Sequence, residues 1–191
     1  MARLTEFTRY TDAQREFSPA RLWEMFDGDR DRLNITHECV DRWAAGADRA
    51  AIRIAYADGR DETIGFHALA VGSARFAHWL AAQDVQPGDR VAIMLEPSLA
   101  FYAAMFGTVK RGAVAVPLFT LFGPDGVALR TRDCAPRLLL TTPEKISAVG
   151  SLDGVRVIAA DAAFMAALAL CPDRYQSQTS ANDLAIFQYT S

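Results

Sequence analysis

From residue 90 onward the chain repeats one pattern, a short apolar run followed by a stretch with helical spacing. "RVAIML" (90–95) precedes "SLAFYAAMFGTVKR" (98–111), and "AVAVPL" (113–118) precedes "PDGVALRTRDC" (124–134). "RLLLT" (137–141) leads into a short helix from Pro143, and "VRVIA" (155–159) into "DAAFMAALAL" (161–170). Strand and helix alternating in this way constrain the chain strongly, because strands joined through helices run parallel and carry those helices on their faces. "VAIML" and "LLL" lack the apolar-polar alternation of a half-exposed strand, which marks them as strands covered on both sides. The stretch 98–111 is apolar almost all round, so a well-buried helix is expected there. The fold class that follows is α/β, a mostly parallel sheet with helices on both faces.

The first fifty residues form a helical lead-in. In "SPARLWEMF", Ser18 is placed to cap a helix whose first position is Pro19, where the missing N–H costs nothing. "NITHECVDRWAAG" sets Thr36, Cys39, Val40, Trp43 and Ala44 on one helical face, with Gly46 as a left-handed stop. "IRIAYADGRDETI" alternates Ile52, Ile54 and Tyr56 with Arg53 and Ala55 and turns at Asp58-Gly59, a hairpin signal. Phe66, Leu69, Ala70, Ser73, Ala77 and Leu80 then line one stripe of a helix over 66–83 that "QPGD" breaks. Residues 172–182 are polar and turn-rich, a surface connection to a last strand, "LAIFQY". No repeat and no splitting linker stands out, so residues 1–191 are read as a single domain.

Composition excludes several functions. A chain of 191 residues buries roughly 70% of its unfolded surface. Hydrophobic residues at 51% and charged residues at 23% describe a globular protein. The net charge of −3, with 20 basic residues dispersed among 23 acidic ones, offers no electropositive stripe for nucleic acid. The N-terminal "MARLTEFTRYTDAQREF" lacks the apolar core of a secretory signal. The longest apolar run, residues 113–122, falls well short of the about 20 residues of a membrane span. Cys39, Cys134 and Cys171 are odd in number and widely spaced, and are read as buried thiols in a reducing cytoplasm.

Several apparent motifs fail. "HECVD" begins like a zinc-binding H-E-x-x-H, but Asp41 stands where the second His is needed, leaving His37 a polar residue on a capped helix. His67 and His78 share one helix without Cys or carboxylate at ligand spacing and are read as partly exposed. There is no G-x-G-x-x-G, no G-x-x-x-x-G-K-[ST] and no G-x-S-x-G, and so no dinucleotide fingerprint, Walker loop or hydrolase elbow. Asp61 and Glu62 are assigned to a solvated turn. No catalytic residue and no metal site is assigned.

Two stretches carry a family resemblance. "VKRGAVAVPLFTLFGPDGVALRTRDCAPRLLLTT" (109–142) resembles the early core of the AMP-forming adenylating superfamily, and "DLAIFQYTS" (183–191) resembles the lead-in to that superfamily's phosphate-binding loop. The helix at 66–83 and "QPGDRVAIMLEPSLAFYAAMFGTVKRGA" fit the same pattern, so the resemblance covers about residue 34 to 191. "PLFTLFGP" is similar to acyl-CoA synthetases of the acetate, medium-chain or aromatic-acid groups.

The resemblance implies the N-terminal part of the adenylate-forming fold, with residues 172–191 ending at the start of the phosphate loop, where Thr190 and Ser191 would contribute to ATP binding. It implies a ligase that joins a carboxylic acid to ATP, releases pyrophosphate and passes the acyl group from AMP to coenzyme A, with Mg²⁺ and loop amides neutralising phosphate charge. The remaining loop, the nucleotide and acyl contacts and the C-terminal catalytic Lys of the family lie beyond Ser191. Two hydroxyls offer about 0.5 to 1.5 kcal/mol each against an association cost of roughly 4 to 15 kcal/mol. No cofactor is therefore expected on these 191 residues alone, nor any turnover, and self-association through an exposed apolar surface is expected instead. An adenylation domain that loads a carrier protein, and a non-catalytic α/β module that binds a partner, are the alternatives.

Overall fold

The computed structural model describes residues 3–190. The lead-in contains a 3-10 turn (Leu4–Glu6) and three short helices, α1 (Tyr10–Glu16), α2 (Pro19–Trp23) and α3 (Ile35–Cys39). Ser18 caps α2 as expected, its Oγ accepting from the Arg21 amide at 3.2 Å. The helix expected through residue 44 does not run unbroken: Val40 leaves helical geometry (φ −127°, ψ −62°), and a 3-10 turn follows at Asp41–Trp43. The Glu38 carbonyl is satisfied by the Trp43 indole N–H at 2.9 Å, which compensates the break. Of the face assigned to this helix, Thr36 and Val40 are buried, whereas Cys39 and Trp43 are exposed. The expectation of three buried thiols is corrected with it: only Cys134 is buried, and Cys171 is half-buried.

The hairpin forms as read, with β1 (Ala50–Ala55) antiparallel to β2 (Asp61–Gly65) and Gly59 at a φ of +86° supplying the turn. Asp61 and Glu62 belong to β2 and not to the turn, because Tyr56 donates its hydroxyl to Glu62 at 2.6 Å and holds that residue in the ladder. Then come α4 (Phe66–Ala82), β3 (Arg90–Met94), α5 (Leu99–Arg111), β4 (Val114–Pro117), α6 (Pro124–Cys134), β5 (Leu138–Thr141), α7 (Pro143–Val149), β6 (Arg156–Ala159) and α8 (Ala162–Ala169). Ser98 caps α5 and Asp161 caps α8 through their side-chain oxygens.

The sheet has the order β4-β3-β5-β6, and every pair in it is parallel. Strict alternation divides its side chains. Val91, Ile93, Ala115, Leu138 and Leu140 pack with Phe76, Leu80, Ala104 and Phe164 of α4, α5 and α8. Ala92, Met94, Val116 and Leu139 pack with Val127 and Cys134 of α6 and Val149 of α7. Both faces are thus covered, which is why the strands carry no polar alternation. The helices α4 and α5 approach so closely at Gly107 that a Cβ there would lie 2.7 Å from both the Phe76 Cβ and the Ser73 carbonyl oxygen. A third cluster, Val40, Ile54, Ile64 and Leu69, seats the hairpin against α4.

The expected last strand "LAIFQY" is reduced to one parallel bridge, Ile186 with Ala115 at the β4 edge. The Ala115 amide donates to the Ala185 carbonyl and the Phe187 amide to the Ala115 carbonyl, each at 2.9 Å. The next rung of a parallel ladder needs an N–H from residue 117. That residue is Pro117, which has none, and the pairing stops there.

Candidate functional site at the end of the β4 edge

Residues 172–182 are tied to the lead-in by polar contacts. The Leu33 amide donates to the Thr179 carbonyl and the Ala181 amide to the Arg30 carbonyl, both at 2.9 Å. Asn34 is the hub: its Oδ1 accepts from the Thr36 and His37 amides, while its Nδ2 donates to the Val109 carbonyl (2.9 Å) and to Thr179 Oγ1 (3.0 Å). A cleft of 1130 Å³ opens between residues 27–41 and 174–183. Within it His37 Nε2 lies 3.1 Å from Asp27 Oδ2, and His37 is half-buried. His78 Nε2 lies 2.7 Å from the Arg174 carbonyl oxygen, and His67 is exposed. Among the described residues no group of three or more His, Cys, Asp and Glu is arranged to hold a metal ion, and no helix is long and apolar enough to cross a membrane.

From its bridge with Ala115 the chain continues in the direction of β4, toward the carboxyl ends of the parallel strands, the side of an open α/β sheet outside which ligands bind. Thr190 is exposed there. Ser191, the other residue assigned to the phosphate loop, lies outside the described residues. The residue before them, Tyr189, is fixed to α6: its hydroxyl donates to Asp133 Oδ2 at 2.7 Å and lies 3.0 Å from the Arg130 carbonyl oxygen. Burial, and then the Asp133 carboxylate, push the Tyr189 hydroxyl far above the usual tyrosine range, so it stays a donor. At the same end of the sheet, Lys145 donates to the Thr120 carbonyl and Thr120 donates its hydroxyl to Glu96. The family resemblance pointed to Thr190 but to none of these partners, since Asp133, Thr120 and Glu96 meet their partners only through the fold of the chain.

A profile of the family described as AMP-binding enzyme matches residues 40–191. The chain belongs to that family. Acetyl-coenzyme A synthetase of Novosphingobium aromaticivorans is 33% identical over 143 residues, which are 73% of this chain and 21% of that protein. The enzyme of the same name from Bacillus subtilis is 32% identical over 120 residues, 62% of this chain and 21% of that protein. Among solved structures, an acyl-CoA synthetase of Brucella canis superposes with a TM-score of 0.84 at 28% identity, over 97% of this chain and 36% of that one. An ATP-bound RpMatB-BxBclM chimera superposes with a TM-score of 0.69 at 25% identity, over 83% of this chain and 32% of that one. The chain therefore spans about a fifth of the length of these curated relatives, and its fold is that of the N-terminal part of adenylate-forming enzymes.

Thr190 offers one exposed hydroxyl, and the Lys145 ammonium is engaged by the Thr120 carbonyl. A triphosphate needs several converging amides and cations.

Proposed function

We propose that these residues are the N-terminal part of an AMP-forming acid-CoA ligase, which converts a carboxylic acid, ATP and coenzyme A to acyl-CoA, AMP and pyrophosphate through an acyl-adenylate. The observation that carries this reading is the family match through the segment 183–190, laid along β4 with Thr190 at the carboxyl side of the sheet. Coenzyme A as acceptor, in preference to a carrier protein, is supported by the acetyl-coenzyme A synthetases at 32% and 33% identity. ATP, with Mg²⁺, would activate the carboxylate by turning its oxygen into a leaving group. The part of this chain is to hold the start of the phosphate loop and the apolar scaffold behind it. Three thiols free of disulfides accord with a cytoplasmic setting.

The test is acid-dependent exchange of pyrophosphate into ATP, followed by thioester formation with coenzyme A, with acetate as the first acid tried. The full-length protein that carries these residues is expected to do both. The 191 residues alone are expected to do neither, because one or two loop hydroxyls cannot offset the cost of ordering a nucleotide. Exchange by those residues in isolation, or none by the full-length protein with any acid and with Mg²⁺ present, overturns the reading.

A further inference from the structure

We infer that Tyr189 is a positioning residue that latches the start of the phosphate loop onto α6, an inference that rests on the ligase reading above. With the rung at Pro117 missing, no ladder bond among the described residues fixes the chain after Phe187. What holds it is the side chain of Tyr189. Its ring stands edge-on to Phe187 (centroids 5.0 Å apart, 90°) and packs against the cluster of Val116, Leu118 and Val127. The Arg130 guanidinium lies over the Phe122 ring at 3.8 Å and over the Tyr189 ring at 5.5 Å, so it bridges the two aromatics. Arg130 Nη1 donates to the Gly126 carbonyl at 3.0 Å, and the guanidinium plane stacks on the rings. The Tyr189 hydroxyl closes the latch on Asp133 at 2.7 Å. One residue later the loop begins, so the position of Thr190 is set from α6 and not from the sheet.

The experiment uses Tyr189→Phe and Asp133→Ala in the full-length protein, since both keep the aromatic packing and remove the hydrogen bond. Amide hydrogen exchange across residues 187–190 is expected to quicken by about two- to tenfold, the factor that one hydrogen bond of ordinary strength supplies. Exchange at Leu139 and Leu140 is expected to stay unchanged. The KM for ATP is expected to rise by about three- to tenfold in pyrophosphate exchange while the KM for the acid and the thermal midpoint hold, a split that general loss of folding does not produce. The double variant is expected to be no worse than Tyr189→Phe alone, which already removes the hydroxyl from both Asp133 and the Arg130 carbonyl. Unchanged exchange over 187–190 in Tyr189→Phe overturns the latch, and quicker exchange with an unmoved ATP KM overturns its positioning role. Failure of the ligase reading appears in the wild type, which would lack pyrophosphate exchange; failure of this inference appears only between wild type and variants.

Discussion

The parallel sheet and the helical lead-in are held by different forces. In the sheet, Val91, Ile93, Leu138 and Leu140 fill one face and Ala92, Met94 and Leu139 the other, all at 0 or 1% exposure. The stabilisation there scales with apolar area and is indifferent to direction. The lead-in is held by directed polar contacts. The buried Glu38 carboxylate accepts from the Asp27 and Gly28 amides at 3.0 and 2.9 Å and pairs with Arg42. Asn34 ties α3 to α5 and to Thr179, and Asp41 meets the buried Lys110 ammonium at 2.8 Å. A region held by area should punish lost volume and forgive changes of shape, whereas one held by polar pairs should punish the loss of a single partner.

The largest effect is expected in the sheet. Leu139→Ala removes a fully buried side chain from the centre of the β3-β5-β6 face and is expected to cost about 2 to 5 kcal/mol in chemical denaturation. Leu139→Met, which conserves volume, is expected to cost less than about 1.5 kcal/mol. Equal losses for the two would mean that direction matters in the sheet as well, and the contrast with the lead-in would fail.

Next comes the pair that joins the lead-in to α5. Lys110 is 2% exposed, and besides Asp41 its ammonium has, among the described residues, the Ala70 carbonyl at 3.4 Å. Asp41→Ala strands that charge and is expected to cost about 3 kcal/mol. Adding Lys110→Met to Asp41→Ala removes the charge as well and is expected to recover most of the loss, since an apolar side chain of similar length suits a buried slot. No recovery in denaturant midpoints would show that the pair acts through packing alone.

This difference also explains what could be read in advance. Every helix and strand from Phe66 to Ala169 was legible, because apolar periodicity and the signals at Ser98, Pro124 and Pro143 act locally. The lead-in was legible where a cap is local, as at Ser18, and misread at Val40, where the break is coupled to partners far along the chain. Asn34 to Val109 and Lys110 to Asp41 span 75 and 69 residues, and no periodicity encodes such pairs. The candidate site shows both sides of this. Thr190 was reached through family resemblance, while Tyr189, Arg130 and Asp133 were not, because the sequence separation of 56 between Tyr189 and Asp133 closes only when α6 crosses the sheet. The missing last strand was in principle legible, since Pro117 stands at the position whose N–H a further rung requires.

The smallest effect expected is one of pH, and it sharpens the contrast because the buried Lys110 ammonium lies where the lead-in meets α5. Burial pushes the Lys110 ammonium below the ordinary lysine value of 10.5, and the neighbouring Asp41 carboxylate offsets this only in part. The unfolded chain therefore holds the proton more tightly than the folded one. The penalty is present in full below the folded pKa and is relieved as pH rises from there through 10.5. Tyr56 and Tyr189 also titrate late, each held above the ordinary tyrosine value of 10.0, and their contribution is lost as pH climbs past that value. The quantity to measure is accordingly the stability of the wild type minus that of Lys110→Met, in which the tyrosines cancel. That difference is expected to shift in favour of the wild type toward pH 10.5 and to be level at neutral pH. A difference that falls with rising pH would mean that Asp41 outweighs burial, and that the lead-in is joined to α5 by a net attractive charge pair.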